Sequence, residues 1–428
     1  MTTGLILAAA FALIIIGMPV AFAIGIAGTA YFFLPEVFLP ESTAVQRIVA
    51  ASQSFPLLAV PLFIILGNLM NVSGITPRLV SLATTLAGWM RGGLAQSTLV
   101  LSLLMGGISG SAVADAAMQA RILGKPMVAQ GYSPGFTAAI LSIGGLIVAT
   151  LPPSLGLILY GYLGEVSIGR LFIAGIVPGV LLTIVLMFVT WFTAHRRAYT
   201  PVNERLPTGR EVWQEFRGGF WAVMFPVWLL IGIRFGFFTP SEAGAFAIVY
   251  ALLVGFVIYR QMTVRDLYDA LVRSVRDVGM IMLVILLSGT FGYVLTFERV
   301  PQSIAEVALV AFTEPTTLLF TIAGFLLVLG MFVEATVLVL LLTPILVPVI
   351  TAAGVDPVHF GLVMMTLVTF GGMTPPFGVS MFTVCGILRT PYSAYSAELI
   401  PFALAVLALV SLMIVFPQIT LFLPNWLM

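Results

Sequence analysis

Three polar residues lie close together inside an otherwise apolar run. Residues 107–115 contain Ser109, Ser111 and Asp115 among glycines and alanines. An acidic residue in such a run indicates a functional site, since burying its charge in a membrane is costly. Hydroxyl, carboxylate and carbonyl oxygens are the ligands that hard cations prefer, so the segment predicts a Na⁺ or substrate site. A face of small residues for helix packing is the alternative interpretation.

A double proline interrupts each of two further apolar runs, at Pro152-Pro153 and at Pro375-Pro376. Proline has no backbone N–H and disfavours a helical conformation in the residue before it. We therefore expect the carbonyl oxygens of Gly371, Gly372 and Met373 to be free to act as cation ligands.

The helix segments that follow the two breaks bear on the charge of a substrate. They begin near Ser154 and Phe377 and would direct their N-terminal ends inward. A helix N-terminus carries a partial positive charge, so this arrangement favours an anion. We predict substrate contacts from Asp115, Ser154, Pro153 and Pro376.

Both breaks belong to an internal repeat. Residues 131–154 recur as residues 354–377, at an offset of 223. Further matched positions are Gly131 with Gly354, Pro134 with Pro357, Gly107 with Gly330, Ala112 with Ala335, and Pro178 with Pro401. The repeat also aligns Glu334 with Ser111, either as a second ligand or as a carboxylate that reaches the surface from a helix end. Two broken helices at matching positions point to the central binding site of a secondary transporter.

The composition predicts an all-α polytopic membrane protein. The chain has 428 residues, 60% hydrophobic and 8% charged, and its mean hydropathy is +1.15. Apolar runs of about 20 residues, the length that spans a bilayer, recur throughout. The first run lacks a positively charged flank, so we predict a retained span rather than a signal peptide. Nine of the 18 basic residues lie in residues 196–217 and 260–276, which the positive-inside rule places in the cytoplasm.

The chain offers little for catalysis. A single cysteine, Cys385, excludes an internal disulfide and a cysteine-based metal cage. The sequence contains neither a phosphate-binding loop nor a nucleophile-and-base motif, and no basic cluster resembles a nucleic-acid-binding face. We therefore predict no enzyme activity and no nucleic-acid partner.

Hydropathy and periodicity predict further elements. Residues 5–34 are expected to form one kinked span, 261–277 a separate amphipathic surface helix, 301–312 an interfacial helix, and 316–333 a full span that leads to a second hairpin at 334–350. The predicted divisions are N-terminal scaffold helices (1–93), a first repeat with hairpin one (94–194), a cytoplasmic loop with scaffold and arm helices (195–315), and a second repeat with hairpin two and the C-terminal helix (316–428).

The relative orientation of the two halves stays open. Counting crossings from the basic loops puts the N-terminus outside, the C-terminus inside and both hairpins on the cytoplasmic side, which makes the halves parallel. An inverted repeat needs one more crossing in the second half, and residues 301–312 are the place where the count is most easily changed.

Several motifs in this order resemble the large membrane subunit of tripartite ATP-independent periplasmic (TRAP) transporters, the DctM-like family. The resemblance covers essentially the whole chain, and it is the combination of motifs that is specific. The motifs are Gly110-Ser111-Ala112-Val113-Ala114-Asp115-Ala116, Gly131-Tyr132, Pro152-Pro153-Ser154, Leu171-Phe172-Ile173-Ala174-Gly175-Ile176-Val177-Pro178-Gly179, Phe238-Thr239-Pro240-Ser241-Glu242-Ala243 and Thr374-Pro375-Pro376.

The resemblance implies an elevator-type transporter of the bacterial inner membrane with two inverted repeats, each with a re-entrant helical hairpin and a broken transmembrane helix. Besides membrane lipid, it implies two protein partners: a small four-helix membrane subunit, and a periplasmic binding protein that delivers a dicarboxylate, a sugar acid or sialic acid. It also implies Na⁺ between each hairpin and the adjacent broken helix. Carried over, the first site consists of Ser109, Ser111, Gly145, Val148 and Leu151, and the second of Gly330, Gly371 and Thr374.

One position departs from the family, and other functions remain possible. Similar proteins tend to carry glycine where this chain has Val148. Valine is tolerable there if the ligand is the backbone carbonyl, but not if the site requires two backbones to pack closely. A stand-alone Na⁺-coupled anion symporter without a binding protein is the main alternative function. A channel or an inert assembly subunit is another, although a channel has little use for two broken, repeated units.

Overall fold

The computed structural model describes residues 2–35, 37–108, 110–312 and 314–428, and its elements are helices. In chain order the α-helices are α1 (Thr2–Ile15), α2 (Val20–Ala30), α3 (Ser42–Ser52), α4 (Ala59–Val72), α5 (Ile75–Ala87), α6 (Gly93–Gly106), α7 (Ala112–Ala129), α8 (Pro134–Thr150), α9 (Leu155–Leu163), α10 (Ile168–Arg196), α11 (Gly209–Arg234), α12 (Pro240–Leu253), α13 (Val264–Phe297), α14 (Val300–Ala311), α15 (Pro315–Gly330), α16 (Ala335–Ala352), α17 (Pro357–Gly371), α18 (Val379–Leu388), α19 (Tyr392–Val415) and α20 (Gln418–Leu427). In this described part, seven helical segments are long and apolar enough to cross a bilayer, and α8 with α9 adds a span bent by 44°.

The helices from α6 to α10 recur as α15 to α19. α7 and α16 each have 18 residues, and both of their ends are separated by the same 223 positions as the sequence repeat. Each half contains a re-entrant hairpin, α6–α7 or α15–α16, followed by a helix that breaks at a double proline, α8–α9 or α17–α18. The packing also repeats: α6 on α8 matches α15 on α17, and α7 on α18 matches α16 on α9.

Local sequence signals start these helices at matching places. Ser111 and Glu334 accept a hydrogen bond from the backbone N–H three residues farther on, at the starts of α7 and α16. Ser133 and Asp356 cap α8 and α17 in a similar way, each with proline at the first helical position. A side-chain oxygen satisfies an N–H that the helix leaves unpaired, and a proline there has no N–H to satisfy. The starts of the repeated helices are therefore determined by the residues immediately around them.

α10 shows that the two halves are inverted relative to each other. It has 29 residues, roughly 43 Å at 1.5 Å per residue, which is enough to cross the bilayer. Near its start, Arg170 lies 3.9 Å from the carboxylate of Asp356, which precedes α17. Just past its end, Arg197 donates to Glu398 at 2.7 Å and to Ser133, which precedes α8, at 3.4 Å. The two broken helices therefore begin at opposite ends of α10, on opposite membrane faces.

The inverted repeats that the family resemblance implies are confirmed, and the crossing count that made the halves parallel is wrong, because residues 316–333 do not cross the membrane. α15 is the first arm of hairpin two, as α6 is of hairpin one, so the chain returns to the face from which it entered. With the arginine-rich loop after α10 in the cytoplasm, hairpin one enters from the cytoplasm and hairpin two from the periplasm. The C-terminal helix lies at the periplasmic end, contrary to the crossing count, since Asn425 accepts a hydrogen bond from Arg170 at 3.0 Å.

Two other predicted elements differ from the structure. Residues 5–34 contain two helices, α1 and α2, that pack on each other. Gly17 between them has a positive φ of 89°, and Pro19 cannot donate to the preceding turn. Residues 261–277 are not a separate helix but mostly the first part of α13, which runs unbroken for 34 residues. The matching helices of the first half, α3 and α4, are interrupted near Pro56.

The broken helices form the centre of the molecule. Every residue of α8 after Pro134 and every residue of α17 after Pro357 is buried. A helix that is apolar on all sides must be surrounded by protein or lipid, and here neighbouring helices cover it. The scaffold is built from α2 on α13, and from α4 on α12 and α13. Both breaks therefore lie deep in the fold.

Candidate functional site

A cavity of about 350 Å³ lies where the two hairpin tips meet the breaks of the two broken helices. Both halves contribute to its wall, and α13 closes the scaffold side with Met280, Ile281 and Val284. Its polar side chains are those of Ser111, Ser154, Glu334, Thr336, Thr369 and Ser380. A cavity of this size holds a small organic molecule. We call it the central cavity.

Four helix N-termini converge on the central cavity. The first residues of α7, α9, α16 and α18 all belong to its wall, namely Ala112, Leu155, Ala335 and Val379. Each N-terminus carries about half a positive charge. The described residues of the wall include no lysine, arginine or histidine, so the helix ends supply the positive potential. This geometry suits an acid group.

Ser154 lies in this wall with an unsatisfied hydroxyl. The residue is fully buried, and its Oγ has no hydrogen-bond partner in the part of the chain that the structure describes. An unpaired buried hydroxyl costs about 1–3 kcal/mol, so such groups are normally paired. A ligand in the central cavity would supply the partner.

The residues predicted for the first Na⁺ site lie where hairpin one meets α8. Ser111 caps α7 and lines the central cavity. Gly145 is so close to the hairpin that a Cβ there would lie 2.5 Å from the carbonyl oxygen of Ala112. Any larger residue would push α7 away. Ser109, also predicted for this site, lies outside the described residues.

The end of α8 leaves a carbonyl without its helical donor. Because Pro152 has no N–H, the carbonyl oxygen of Val148 receives no hydrogen bond from the residue four positions on. Val148 and Leu151 are both buried. The side chain of Leu151 fills the space beside Gly106 and Gly179, where a Cβ would lie 2.6 and 2.5 Å from it. Valine at 148 leaves the backbone oxygen available, and its role as a Na⁺ ligand stays a prediction.

The residues predicted for the second Na⁺ site form a similar contact in hairpin two. A Cβ on Gly371 would lie 2.5 Å from the backbone of Gly330, so the hairpin and α17 touch through their main chains. Thr374 is buried and donates its hydroxyl proton to the carbonyl of Gly371 at 2.7 Å. The three residues are brought together, and Na⁺ binding by them stays a prediction.

The three carbonyls expected to be free at the second break all have partners. Gly371 accepts from the N–H of the threonine three residues on, Gly372 from the N–H of Ser380 at 2.9 Å, and Met373 from the hydroxyl of Tyr395 at 2.7 Å. The expectation was wrong because the chain turns back on itself after the prolines and supplies other donors. The carbonyls of Gly372 and Met373 each retain a second lone pair for a ligand, whereas that of Gly371 also accepts from the Thr374 hydroxyl.

Of the four residues predicted to contact substrate, the described wall of the central cavity contains Ser154 alone. Pro153 is buried with its carbonyl against the hairpin glycine Gly110, where a Cβ would lie 2.9 Å away. Pro376 is exposed. Neither proline belongs to the described wall of the central cavity.

Asp115 belongs to a separate buried cluster. It is 1% exposed, and its Oδ2 accepts a hydrogen bond from Gln119 Nε2 at 2.6 Å. Gln119 Nε2 also donates to Ser102 Oγ at 2.8 Å, which ties α7 to α6. The wall of the central cavity includes Ala112 and Val113 of α7 but not Asp115, whose side chain is held in the cluster with Gln119 and Ser102.

Sequence reasoning missed two polar residues of the wall, Thr336 and Ser380. Each is the second residue of a half-helix, α16 or α18, that starts at a hairpin tip or a break. Ser380 Oγ also lies 3.0 Å from Ser142 Oγ of α8, which links the two halves. Following each half-helix one turn beyond its start would have found both residues.

The two halves meet the scaffold differently. α6 packs on α5, and Gly107 lies against Pro226 of α11, where a Cβ would lie 2.3 Å from its ring. In the second half an apolar cavity of about 850 Å³ lies between α14 and α15, with α1, α13 and α16 also in its wall. We call it the periplasmic gap. In the first half α6 thus packs on α5, whereas in the second half α16 packs on α14 and the gap separates α15 from α14.

Comparison with known proteins identifies the family. The model of the DctM component of tripartite ATP-independent periplasmic transporters matches residues 7–419. The chain is 35% identical over 413 residues to the sialic acid TRAP transporter large permease protein SiaM of Vibrio cholerae. It is 32% identical over 413 residues to the 2,3-diketo-L-gulonate TRAP transporter large permease protein YiaN of Escherichia coli. Each alignment covers 96% of this chain and 96% of the relative, and both relatives are permeases rather than enzymes.

A solved structure shares the fold at much lower identity. The YdaH transporter of Alcanivorax borkumensis superposes with a TM-score of 0.63 over 88% of each chain, at 15% identity. That likeness concerns the fold alone. The full-length family match, together with the inverted hairpins and broken helices, shows that this multi-pass inner-membrane protein belongs to the DctM family, the large permease component of TRAP transporters.

Proposed function

We propose that the chain imports a carboxylate-bearing solute together with Na⁺, as the large transmembrane subunit of a three-part carrier. A small four-helix membrane subunit would widen the scaffold, and a periplasmic binding protein would deliver the solute. The family and the relatives support this class, because sialic acid and 2,3-diketo-L-gulonate are both sugar acids.

The convergence of four helix N-termini on the central cavity carries the proposal. An acid group placed there would meet the partial positive charges of α7, α9, α16 and α18. It would also accept a hydrogen bond from the buried hydroxyl of Ser154, which has no partner among the described residues. Anion binding of this kind needs no arginine or lysine.

Na⁺ would bind between each hairpin and the adjacent break. In the first half the ligands would include the hydroxyl of Ser111 and the carbonyl of Val148, and in the second Thr374 and the carbonyl of Gly371. These are hard oxygen ligands of the type that such cations take. The backbone contact at Gly145 leaves no room for a side chain, which suits a site walled by main-chain oxygens. Bound cations would then strengthen the binding of the anion nearby.

We propose an elevator movement between two states that the repeat relates. Here the central cavity meets residues 280–284, in the middle of α13, and hairpin one is packed on α5. Because the open gap lies at the periplasmic end, this arrangement corresponds to a cytoplasm-facing state. In the opposite state the halves would exchange roles. α15 would pack on α14, the periplasmic gap would close, and the central cavity would meet α4 instead of α13.

Uptake into proteoliposomes tests the coupling. Reconstituted with its two partners, the chain should take up the solute that its binding protein retains, at a rate that depends steeply on an inward Na⁺ gradient and not on ATP. Replacing external Na⁺ by choline should lower the initial rate by at least about tenfold, because transport then lacks its driving ion.

Two outcomes would contradict parts of the proposal. Transport at full rate in choline would remove Na⁺ coupling. Full uptake by the large subunit without any binding protein would favour the stand-alone symporter instead.

A further inference from the structure

One carboxylate shares the central cavity with the four helix N-termini. Glu334 lines the cavity at the start of α16. Its Oε2 accepts from the N–H of Val337 at 3.2 Å, and its Oε1 from the hydroxyl of Thr336 at 2.9 Å. Within the described wall it is the single ionisable side chain. The helix N-termini attract anions to this cavity, so the presence of a negatively charged side chain in the same wall needs an explanation.

Capping of α16 does not require this charge. Ser111 caps α7 at the matching place with a neutral hydroxyl, and serine is among the best N-cap residues. An ionised carboxylate offers about four acceptor positions, of which the bonds to α16 use two. Glu334 is only partly buried, so acceptor capacity remains for a ligand.

The two halves therefore present different chemistry to a ligand. The first half contributes Ser111, Ser154 and the N-termini of α7 and α9, and its described wall residues carry no charged side chain. The unpaired, fully buried hydroxyl of Ser154 can donate to an acid group. The second half contributes Glu334, which accepts hydrogen bonds and repels a second negative charge.

We propose that Glu334 is a specificity-determining residue that selects solutes with one acid group and with hydrogen-bond donors, hydroxyls or a cationic nitrogen, at the other end. Simple dicarboxylates would place a second carboxylate beside Glu334 and are poor substrates. The inference rests on the proposed function, because the central cavity must bind the transported acid. It narrows the substrate class from carboxylates in general to donor-bearing monocarboxylates.

Ligand binding to the purified complex with its small subunit, in Na⁺, tests this selectivity. The probes are gluconate, N-acetylneuraminate and ectoine, which carry donors, and succinate, which does not. In the wild type the tightest of the three donor-bearing acids should bind at least about tenfold more tightly than succinate. Glu334→Ser keeps a capping oxygen, as Ser111 does, and Glu334→Gln keeps the shape. In both, the preference should fall to about threefold or less.

Two controls separate charge from structure. Glu334→Asp retains the negative charge and should retain the preference. Glu306→Gln removes an exposed carboxylate on α14, outside the described wall of the central cavity, and should change nothing. Unfolding temperatures without ligand establish that each variant is folded.

The outcomes distinguish this inference from the function on which it rests. Equal or tighter binding of succinate by the wild type, or an unchanged preference in Glu334→Ser, overturns the selectivity and leaves the carrier function standing. Failure of all four acids to bind the folded, Na⁺-loaded complex overturns the proposed function, and the selectivity with it.

Discussion

Gly145 sets how closely hairpin one approaches the first broken helix. A Cβ there would lie 2.5 Å from the backbone oxygen of Ala112, which cannot move without displacing the start of α7. Gly371 makes an equally close contact with Gly330 in hairpin two. Both contacts bring main-chain oxygens of a hairpin next to a broken helix, where the proposed cations would bind.

Gly145→Ala should therefore destabilise the folded protein by about 1–3 kcal/mol, the usual cost of overpacking. It should also reduce the rise in unfolding temperature that Na⁺ produces, because the hairpin carrying Ser111 is displaced. Thermal unfolding in detergent, with and without Na⁺, measures both effects.

Gly386 on α18 provides the matched control, because a Cβ there meets nothing within 4 Å. Gly386→Ala should be neutral or stabilising by up to about 1 kcal/mol, since alanine is the better helix former. If the two variants behaved alike, the close approach at Gly145 would not constrain the hairpin.

The arms of hairpin one are joined by a buried polar cluster. Gln119 of α7 donates to both Asp115 and Ser102, and Asp115 also has a side-chain hydrogen bond with Ser102. Charged groups are buried only where they are paired or hydrogen-bonded. We infer that Asp115 orders the hairpin rather than contacting the substrate.

Gln119→Leu should destabilise the protein by about 1–3 kcal/mol, because it removes one donor from the buried carboxylate of Asp115. Asp115→Asn retains an acceptor for Gln119 and should cost less than about 1 kcal/mol. Uptake by Asp115→Asn should stay within about threefold of the wild type, since the side chain lies outside the central cavity. A well-folded Asp115→Asn protein that no longer binds substrate would restore Asp115 to the substrate site.

The whole molecule combines a symmetric sequence repeat with an asymmetric arrangement. The first arm of hairpin one, α6, is packed on α5, while the periplasmic gap separates the first arm of hairpin two, α15, from α14. Two equivalent halves cannot both have the closed contact if one rigid unit moves between them, so the gap marks the space into which that unit would move.

Filling the periplasmic gap should hold the protein in its present state. Ala308 on α14 lines the gap and is 9% exposed, so Ala308→Trp places an indole where α15 would pack. Solute binding in detergent should be unchanged, whereas uptake should fall at least about tenfold, because the carrier can bind but cannot complete its cycle.

Leu309→Trp is the control, because Leu309 is 46% exposed and lies outside the described wall of the gap. It should transport normally. Normal uptake by Ala308→Trp as well would count against closure of the gap during transport.

The sequence by itself determined the membrane class, the repeat and the places where helices start and break. These properties are local: Pro152 and Pro375 lack an N–H wherever they stand, and Ser133 or Asp356 can cap a helix without distant help. Hydropathy also depends on the sequence alone and indicates the membrane class. The motifs, taken in their order, identified the family. Ser154 could be placed at the start of a half-helix for the same reason, and its contact with substrate stays a prediction.

The tertiary structure alone decided the orientation of the halves and the composition of the site. Whether residues 316–333 cross the membrane or turn back depends on packing against α17, which no run of apolar residues reveals. The partners of the carbonyls at 371–373 and the separation of Asp115 from the central cavity likewise depend on contacts between distant segments. A repeated sequence is compatible with either half making the closer contact with the scaffold, so only the tertiary structure shows that α6 packs on α5 while α15 is separated from α14.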